Sequence, residues 1–257
     1  MNSTLKEEIL VIKNLEVRRD NKIVLQNINL NIIAGTFNII IGPNGGGKTT
    51  LLHTILGLIP YEKGEIYIKG ENHIDYIKSG KPIGFVPQRF LNKTKFPMTV
   101  KDLLSLSIHK EKNKKKEFKY YFNKIKNDLN LNEIIDKPLI RLSHGQQQRA
   151  FVGMALMKNP PLLLLDEATS TTDPATSMMI MNLLKNRKEK GKTILMVSHD
   201  LSLIPTFIDN AICLKKTLVC HGLPMEALTK EKLKKLYGTE LELFLHTDME
   251  LKVVKKR

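Results

Sequence analysis

A glycine-rich run between two apolar segments constrains this chain more than any other feature. Phe37 to Ile41 has the length and apolar character of a buried strand, and Leu51 to Leu58 those of a helix. The residues between them fit the pattern G-x-x-x-x-G-K-[ST], namely Gly42, Pro43, Asn44, Gly45, Gly46, Gly47, Lys48 and Thr49. In this context, backbone N–H groups converge on phosphate oxygens. The pattern therefore predicts a phosphate-binding loop in which Lys48 reaches the β- and γ-phosphates and Thr49 ligates Mg²⁺.

Two carboxylates follow a second apolar run. Leu162 to Leu165 is apolar on both faces, as a central parallel strand would be, and Asp166 and Glu167 come directly after it. The carboxyl ends of such strands are where α/β sheets meet ligands. We therefore expect Asp166 to hold Mg²⁺ through Thr49 or water, and Glu167 to polarise an attacking water as general base.

Three further polar positions are candidates for contacts with an anion. Ser143 begins a helix, and the Gly145 and Gln146 that follow leave N–H groups and an amide at its start. Gln88 and His199 each follow a short apolar strand. Taken singly, each has a structural alternative: Ser143 as a helix cap, Gln88 as a surface residue and His199 as a packing residue.

The order of the elements indicates the fold class. Ile28, Leu30 and Ile32 alternate with asparagines, as in a strand with one buried face, and short apolar strands recur as far as Val197. Helices dominate between Thr99 and about residue 159. Strands alternating with helices on both sides of a helical insert predict an α/β domain interrupted by a helical subdomain.

In this order, the segments resemble the ATP-binding cassette ATPases over Ile9 to Tyr237. The matching parts are the glycine loop (Gly42 to Thr50), Gln88, the signature (Leu142 to Gln146), the pair Asp166 and Glu167, the loop ending at Asp173, and His199. The resemblance implies one α/β P-loop NTPase domain over 1–257, with an antiparallel β subdomain and an inserted helical subdomain. It assigns 1–88 and 160–238 to the nucleotide-binding core with its β subdomain, 89–159 to the helical subdomain, and 239–257 to a C-terminal tail.

The resemblance also implies that ATP and Mg²⁺ are bound between two copies of the chain. In such a head-to-tail homodimer, one copy supplies the glycine loop, the catalytic groups Lys48, Gln88, Glu167 and His199, and the Mg²⁺ ligands Thr49, Gln88 and Asp166. The other copy supplies Ser143, Gly145 and Gln146. Hydrolysis therefore needs a dimer, since the signature helix reaches the γ-phosphate only when the two copies close.

The chain departs from the family pattern at three positions. His144 replaces the usual first glycine of the signature, and Ala168 replaces a common proline. Arg19 stands where the family places an aromatic side chain that stacks on adenine. A planar guanidinium can stack in its stead, so Arg19 is the candidate adenine contact.

Within this family, the chain is most similar to the cassettes of bacterial zinc and manganese uptake systems. The similarity rests on Val86 to Gln88, on Phe96 to Val100 and on Cys213 to Pro224. It implies membrane permease subunits as partners, an extracytoplasmic solute-binding protein as an indirect one, and a peripheral position on the cytoplasmic face of the membrane. A cassette for another solute, such as an iron complex or a lipid, is the alternative.

The basic charge offers another alternative, a cassette of the DNA-repair type. The chain of 257 residues has 41 Lys and Arg against 26 Asp and Glu, a net charge of +15, but only seven of the basic residues are arginine. Dedicated phosphate and base readers favour arginine. Lys48 and Ser143 are also only 95 positions apart, which leaves no room for a long coiled coil. We therefore expect no specific nucleic-acid partner.

Cys213 and Cys220 are the only cysteines of the chain. They are too far apart for a C-x-x-C motif, and no other cysteine completes a metal site. We expect both to be reduced packing residues.

Overall fold

The computed structural model describes residues 7–88, 98–106, 115–167, 173–200, 204–238, 241–245 and 251–255. Its strands are β1 (Glu8–Arg19), β2 (Lys22–Ile33), β3 (Phe37–Ile41), β4 (Lys63–Ile68), β5 (Glu71–Asn72), β6 (Ile83–Val86), β7 (Leu162–Asp166), β8 (Thr193–Val197), β9 (Asn210–Lys215), β10 (Thr217–Gly222), β11 (Leu241–Leu245) and β12 (Leu251–Lys255). Its α-helices are α1 (Lys48–Ile55), α2 (His73–Lys78), α3 (Val100–Ser105), α4 (Lys115–Asp128), α5 (His144–Leu156), α6 (Pro174–Glu189), α7 (Ile204–Phe207), α8 (Pro224–Ala227) and α9 (Lys230–Tyr237).

The central sheet has the order β10-β9-β3-β8-β7-β6, and only the pair β9 and β10 is antiparallel. Strands β3, β7 and β8 are buried at every residue. In β7, Leu163 and Leu165 enter the core cluster formed with the helical region, whereas Leu162 and Leu164 enter the cluster shared with the second sheet. The unbroken apolar run thus has the period of two of any strand, with a core on each face.

The second sheet is antiparallel, with the order β2-β1-β4-β5. Its predicted alternation is confirmed, because Ile28, Leu30 and Ile32 are buried and the intervening asparagines are exposed. Strands β1 and β2 are joined at Asp20 and Asn21, which both adopt positive φ (49° and 60°). This conformation, which Asn and Asp tolerate well, is that of a tight two-residue hairpin turn.

Helices α3, α4 and α5 lie between β6 and β7 in the chain, where the helical insert was expected. Helix α3 begins with a reciprocal capping box between Thr99 and Asp102. Helix α5 packs closely on α3 and α4 at Gly153, where an added Cβ atom would lie only 3.1 Å from side-chain atoms of Leu104 and Ile125. The subdomain boundaries at 89, 160 and 239 stay a prediction.

The expectation of two reduced cysteines is wrong. Cys213 and Cys220 face each other on neighbouring antiparallel strands, with Cα atoms 4.8 Å apart, and form a disulfide. The hairpin begins in the register Thr217 with Lys215, and a shift between Leu218 and Cys220 then brings Cys220 opposite Cys213. Because an irregularity of this kind changes which residues are paired, the spacing of seven did not reveal the bond.

The predicted order of strands and helices is otherwise confirmed, with small shifts at element ends. The first helix spans Lys48–Ile55 rather than Leu51 to Leu58, because it begins within the glycine loop and the chain then turns at Gly57, whose φ is 69°. No helix within the described part of the chain is long and apolar enough to cross a membrane.

Candidate functional site

The glycine loop connects the end of β3 to the start of α1 as predicted. Gly47 is the N-cap of α1 with φ at 95°, and no side chain caps the helix, so its first N–H groups are available to a ligand. The loop rests on the β9–β10 hairpin. A Cβ atom on Gly42 would lie 2.0 Å from the carbonyl oxygen of Leu214, and one on Gly46 would lie 2.8 Å from it. Glycine is therefore required here by close backbone contact.

Lys48 is folded back into the loop. Its side chain is buried, and Nζ donates hydrogen bonds to the carbonyl oxygens of Gly42 at 2.8 Å and of Pro43 at 3.0 Å. Burial lowers the pKa of Lys48, while the nearby carboxylates of Glu167 and Asp166 act to raise it. The ammonium group thus lies among the loop carbonyls and beside two anionic side chains.

Three polar side chains meet at the carboxyl edge of the central sheet. Strands β6, β7 and β8 are parallel neighbours, so the residues that follow them come together. Glu167 accepts a hydrogen bond from Gln88 Nε2 at 2.6 Å, and its other oxygen lies 2.8 Å from His199 Nε2. Glu167 also has φ at 50°, a conformation that costs free energy for a residue with a side chain and is concentrated at functional sites.

Asp166 is held differently from its neighbour. It is 1% exposed, the side chain of Thr49 hydrogen-bonds to its carboxylate, and among the described residues its Oδ1 atom has no hydrogen-bond partner. Burial raises the pKa of Asp166, and the Thr49 hydrogen bond opposes that shift. A buried carboxylate oxygen without a partner beside a hydroxyl is suited to a hard cation such as Mg²⁺, which prefers oxygen ligands.

Most of these groups line one open cleft of about 470 Å³, but the buried Asp166 and the first loop residues Gly42 and Pro43 are not part of its lining. It is lined by Val24, Asn44, Gly45, Gly46, Gly47, Lys48, Thr49, Thr50, Gln88, Glu167 and His199. Most of the predicted site residues are therefore brought together. Val24 also lines the cleft but was not predicted from the sequence. It lies in β2 of the second sheet, and the sequence indicates only that it belongs to a strand; tertiary packing brings that strand to the loop.

Arg19, the predicted adenine contact, does not line this cleft. It is exposed at the end of β1, where its backbone pairs with Lys22. Phe96, Pro97 and Ala168, which entered the resemblance, lie outside the described residues.

The signature residues also lie outside the cleft, at the start of α5. Ser143 is exposed and caps the helix, accepting a hydrogen bond from the Gln146 backbone, and the Gln146 side chain accepts one from the Ser143 backbone. Gly145 lies against the first turn of α6, where an added Cβ atom would be 3.2 Å from an Asp173 carboxylate oxygen and 3.3 Å from the Thr176 hydroxyl oxygen. The start of α5 therefore lies against the start of α6.

The sequence matches one family model, described as "ABC transporter", over residues 25–170. Similar curated proteins include a probable metal transport system ATP-binding protein of Chlamydia trachomatis, 37% identical over 247 residues that cover 92% of each chain. A manganese transport system ATP-binding protein of Listeria innocua is 34% identical over 88% of this chain and 95% of its own. A zinc import ATP-binding protein of Hydrogenovibrio crunogenus is 32% identical over 91% and 89%.

The solved structures that resemble this chain include ATP-binding cassettes. A dimeric ATP-binding cassette in a post-hydrolysis state, bound to ADP and Pi, is 30% identical, with a TM-score of 0.73 over 84% of this chain and 98% of that one. The ATP-binding subunit of another ABC transporter, 21% identical with a TM-score of 0.78 over 90% and 95%, shows the fold alone. The α/β fold expected from the sequence is thus confirmed.

Proposed function

Since the chain belongs to the ABC transporter family, we propose that it is the ATP-hydrolysing subunit of an importer for zinc or manganese ions. The observation that carries the ATPase part is the position of Glu167, which lies between Gln88 and His199 at the edge of the glycine-loop cleft. The metal-ion part is supported by the relatives named for metal, manganese and zinc transport.

ATP would bind with its phosphates on the glycine loop. Backbone N–H groups of Asn44 to Thr50 and the start of α1 would donate to phosphate oxygens, and Lys48 would exchange the carbonyls of Gly42 and Pro43 for the β- and γ-phosphates. This exchange replaces hydrogen bonds from the ammonium group to neutral carbonyls by hydrogen bonds to anionic phosphates, in which both partners are charged and attract each other more strongly.

Mg²⁺ fits the remaining groups. Thr49, Asp166 and Gln88 would hold it, since Asp166 offers a buried oxygen that has no hydrogen-bond partner among the described residues. When bound, the ion neutralises charge on the β- and γ-phosphates.

Glu167 would orient a water molecule and accept its proton. Its two carboxylate oxygens are held in place by Gln88 and His199, so the side chain has a defined direction before the substrate arrives. His199 would also hydrogen-bond the γ-phosphate. Such positioning and charge stabilisation are the main sources of rate in phosphoryl transfer.

The site is completed by a second copy of the chain. Ser143, Gly145 and Gln146 lie outside the cleft of their own chain, on a helix start that is exposed at Ser143. A head-to-tail homodimer would bring this helix start to the γ-phosphate, where its dipole favours negative charge. The dimeric relative with ADP and Pi supports this arrangement.

The remaining partners are proposed from the relatives. Permease subunits would span the membrane, the cassettes would lie at its cytoplasmic face, and an extracytoplasmic solute-binding protein would deliver the ion. Residues 89–159 would form the helical subdomain that faces the permease, and 239–257 a C-terminal tail. Arg19 lies outside the cleft that the phosphates would occupy, and its exposed planar guanidinium is the group proposed to stack on the adenine.

Two measurements test the proposal. Purified chain should bind a fluorescent ATP analogue in a Mg²⁺-dependent way and hydrolyse ATP, and Glu167→Gln should retain binding and lose hydrolysis. Hydrolysis by this variant at the wild-type rate would refute the assignment of the base.

The second measurement tests the transported ion. Deleting the gene should reduce uptake of radioactive zinc or manganese, and complementation by wild type but not by Glu167→Gln should restore it. If neither ion is affected while an iron complex or a lipid is, the ATPase assignment stands and the proposed cargo is wrong.

A further inference from the structure

The disulfide of Cys213 and Cys220 closes a short covalent ring, residues 213–220, at the end of the β9–β10 hairpin. This ring contains the turn at Lys216, which has φ at 60°. Its first residue, Cys213, lies on β9, which pairs directly with β3, the strand that leads into the glycine loop. Cys213 is in register with Ile41, the last residue before the loop.

The contacts that support the glycine loop come from inside this ring. The carbonyl oxygen of Leu214 lies against Gly42 and Gly46, at the positions where a Cβ atom would clash. The backbone N–H of Lys216 donates to the carbonyl oxygen of Gly46 at 2.9 Å, and the carbonyl of Lys216 accepts from Gln26 at 2.8 Å. The backbone of the ring therefore packs against the glycine loop and connects it to β2 of the second sheet.

The two cysteine residues differ in their exposure. Cys213 is fully buried on β9, whereas Cys220 is 6% exposed and lies on β10, the edge strand of the central sheet. Both belong to a small apolar cluster with α8 and α9. A small oxidant or a thiol would therefore reach Cys220 first, from the edge of the sheet.

We propose that Cys213 and Cys220 are a reversible oxidation site that controls the affinity of the glycine loop for ATP. In the forward direction, one cysteine loses its proton and attacks hydrogen peroxide as the thiolate; the O–O bond breaks, and the leaving hydroxide takes up a proton, which gives a sulfenic acid and water. The second thiol then attacks the sulfenic sulfur, forming the disulfide and releasing a second water, so two thiols lose two electrons to one peroxide. In the reverse direction, an external dithiol is oxidised in two exchange steps and returns both cysteines to thiols.

The oxidised form is the tighter binder of nucleotide. With the ring closed, Leu214 and Lys216 are held against the loop before ATP arrives, so less conformational freedom is lost on binding. With the ring open, the turn gains freedom and the loop loses part of its fixed support. We expect reduction to weaken the affinity for MgATP about fivefold, the lower end of typical coupling between sites. This part rests on the proposed nucleotide site, whereas formation of the disulfide does not.

The test compares the full chain after treatment with hydrogen peroxide and after treatment with dithiothreitol. Alkylation of denatured samples followed by mass spectrometry counts the thiols, and titration with a fluorescent ATP analogue plus Mg²⁺ gives the affinity of each form. We expect no alkylated cysteine after peroxide, two after dithiothreitol, and an about fivefold difference in Kd that is absent in Cys213→Ala/Cys220→Ala. Cys220→Ala, which changes only the edge strand, serves if the double variant does not fold.

Three results would overturn the proposal: two alkylated cysteines after peroxide, equal Kd values for the two forms, or a redox response that persists in the double variant. If neither form binds nucleotide, the proposed function has failed instead. The control of ATP affinity then fails with it, and formation of the disulfide alone is judged by thermal unfolding: the cross-linked form should melt at the higher temperature because the bond constrains the unfolded chain, and equal melting temperatures would reject it.

Discussion

The two ends of the proposed ATP site are built differently within one chain. At the glycine-loop end, charged groups are held by polar partners: Lys48 by loop carbonyls, and Glu167 by Gln88 and His199. At the signature end, hydrogen bonds of Ser143 and Gln146 fix a backbone, the start of α5. The first end carries the reactive charges, and the second offers the positive end of a helix dipole.

With the proposed mechanism, this difference predicts that a single chain is inactive. The glycine-loop end can bind phosphates and orient water, but its cleft does not include the signature residues of the same chain. The signature end already has its first helical turn formed and capped. In the proposed homodimer, closure would add a preorganised helix start to a charged site, and preorganised electrostatic groups of this kind contribute strongly to catalysis.

The largest effect is expected at the charged end, from Glu167→Gln. The amide keeps the size and can still hydrogen-bond, but it cannot take a proton from water, so hydrolysis should fall by about 10³-fold. Binding of MgATP should persist, and closed dimers should accumulate. Steady-state ATPase rates and size-exclusion chromatography with MgATP measure the two effects. Gln88→Ala, which leaves the carboxylate in place, should retain more activity than Glu167→Gln; the reverse order would contradict the assignment.

A mixture of two inactive variants tests whether the ends work in trans. Lys48→Ala removes a phosphate contact, and Ser143→Arg places a bulky charge on the signature helix start, so each should lose about 10²-fold or more. In a heterodimer, one site would combine the intact glycine loop of the Ser143→Arg chain with the intact signature of the Lys48→Ala chain. Differently tagged chains, purified as mixed dimers, should recover hydrolysis. Mixed dimers as inactive as either parent would show that the site is not shared.

The variant Asp166→Asn distinguishes the effect of Asp166 on Mg²⁺-dependent hydrolysis from its effect on the stability of the fold. Because burial raises the pKa of Asp166, the folded chain binds more protons than the unfolded chain between the usual pKa and the raised one. Stability therefore falls as pH rises through that window, and the ionised carboxylate is a cost at neutral pH. The neutral amide of the variant removes this cost, so the melting temperature of the nucleotide-free protein at neutral pH should rise. Hydrolysis should fall by about 10²-fold, because the variant loses a proposed Mg²⁺ ligand.

Thermal melts across acidic to neutral pH, with and without MgATP, check this prediction. The wild-type protein should lose stability relative to Asp166→Asn as pH rises through the window above the ordinary Asp pKa. Parallel melting curves for the two proteins over this pH range, or ATP hydrolysis by the variant at the wild-type rate, would contradict it.

The charged end could be predicted because its residues are local in sequence or lie at strand ends. The glycine loop is one continuous segment, and Asp166, Glu167 and His199 each follow a short apolar strand, so sheet topology alone brings them together. Which strands are neighbours follows from the family resemblance rather than from periodicity. Val24 could not be predicted, because its place depends on how the second sheet packs on the first.

The contacts that support the glycine loop also could not be predicted from the sequence. The pairing of Cys213 with Cys220 depends on a register shift within the β9–β10 hairpin, and the close contact of Leu214 with Gly42 depends on the sheet order. No local pattern encodes either one. The capping box at Ser143, by contrast, was visible as a possible cap, because capping involves only residues three apart.

The smallest effect is expected at the signature end, from Gln146→Ala. The change removes the hydrogen bond from the Ser143 backbone to the Gln146 side chain and should cost about 1 kcal/mol of stability, as for other capping residues. Asp102→Ala on α3 is a matched control, since Asp102 makes the same reciprocal capping bond with Thr99 but lies at the start of another helix. Both variants should unfold at similarly lower urea concentrations. Only Gln146→Ala should also slow hydrolysis, by about tenfold, because only α5 is expected to present its start to the γ-phosphate of a second copy. Equal ATPase rates in the two variants would mean that the cap of α5 serves stability alone, and that the two ends of the site differ less in their roles than their geometry indicates.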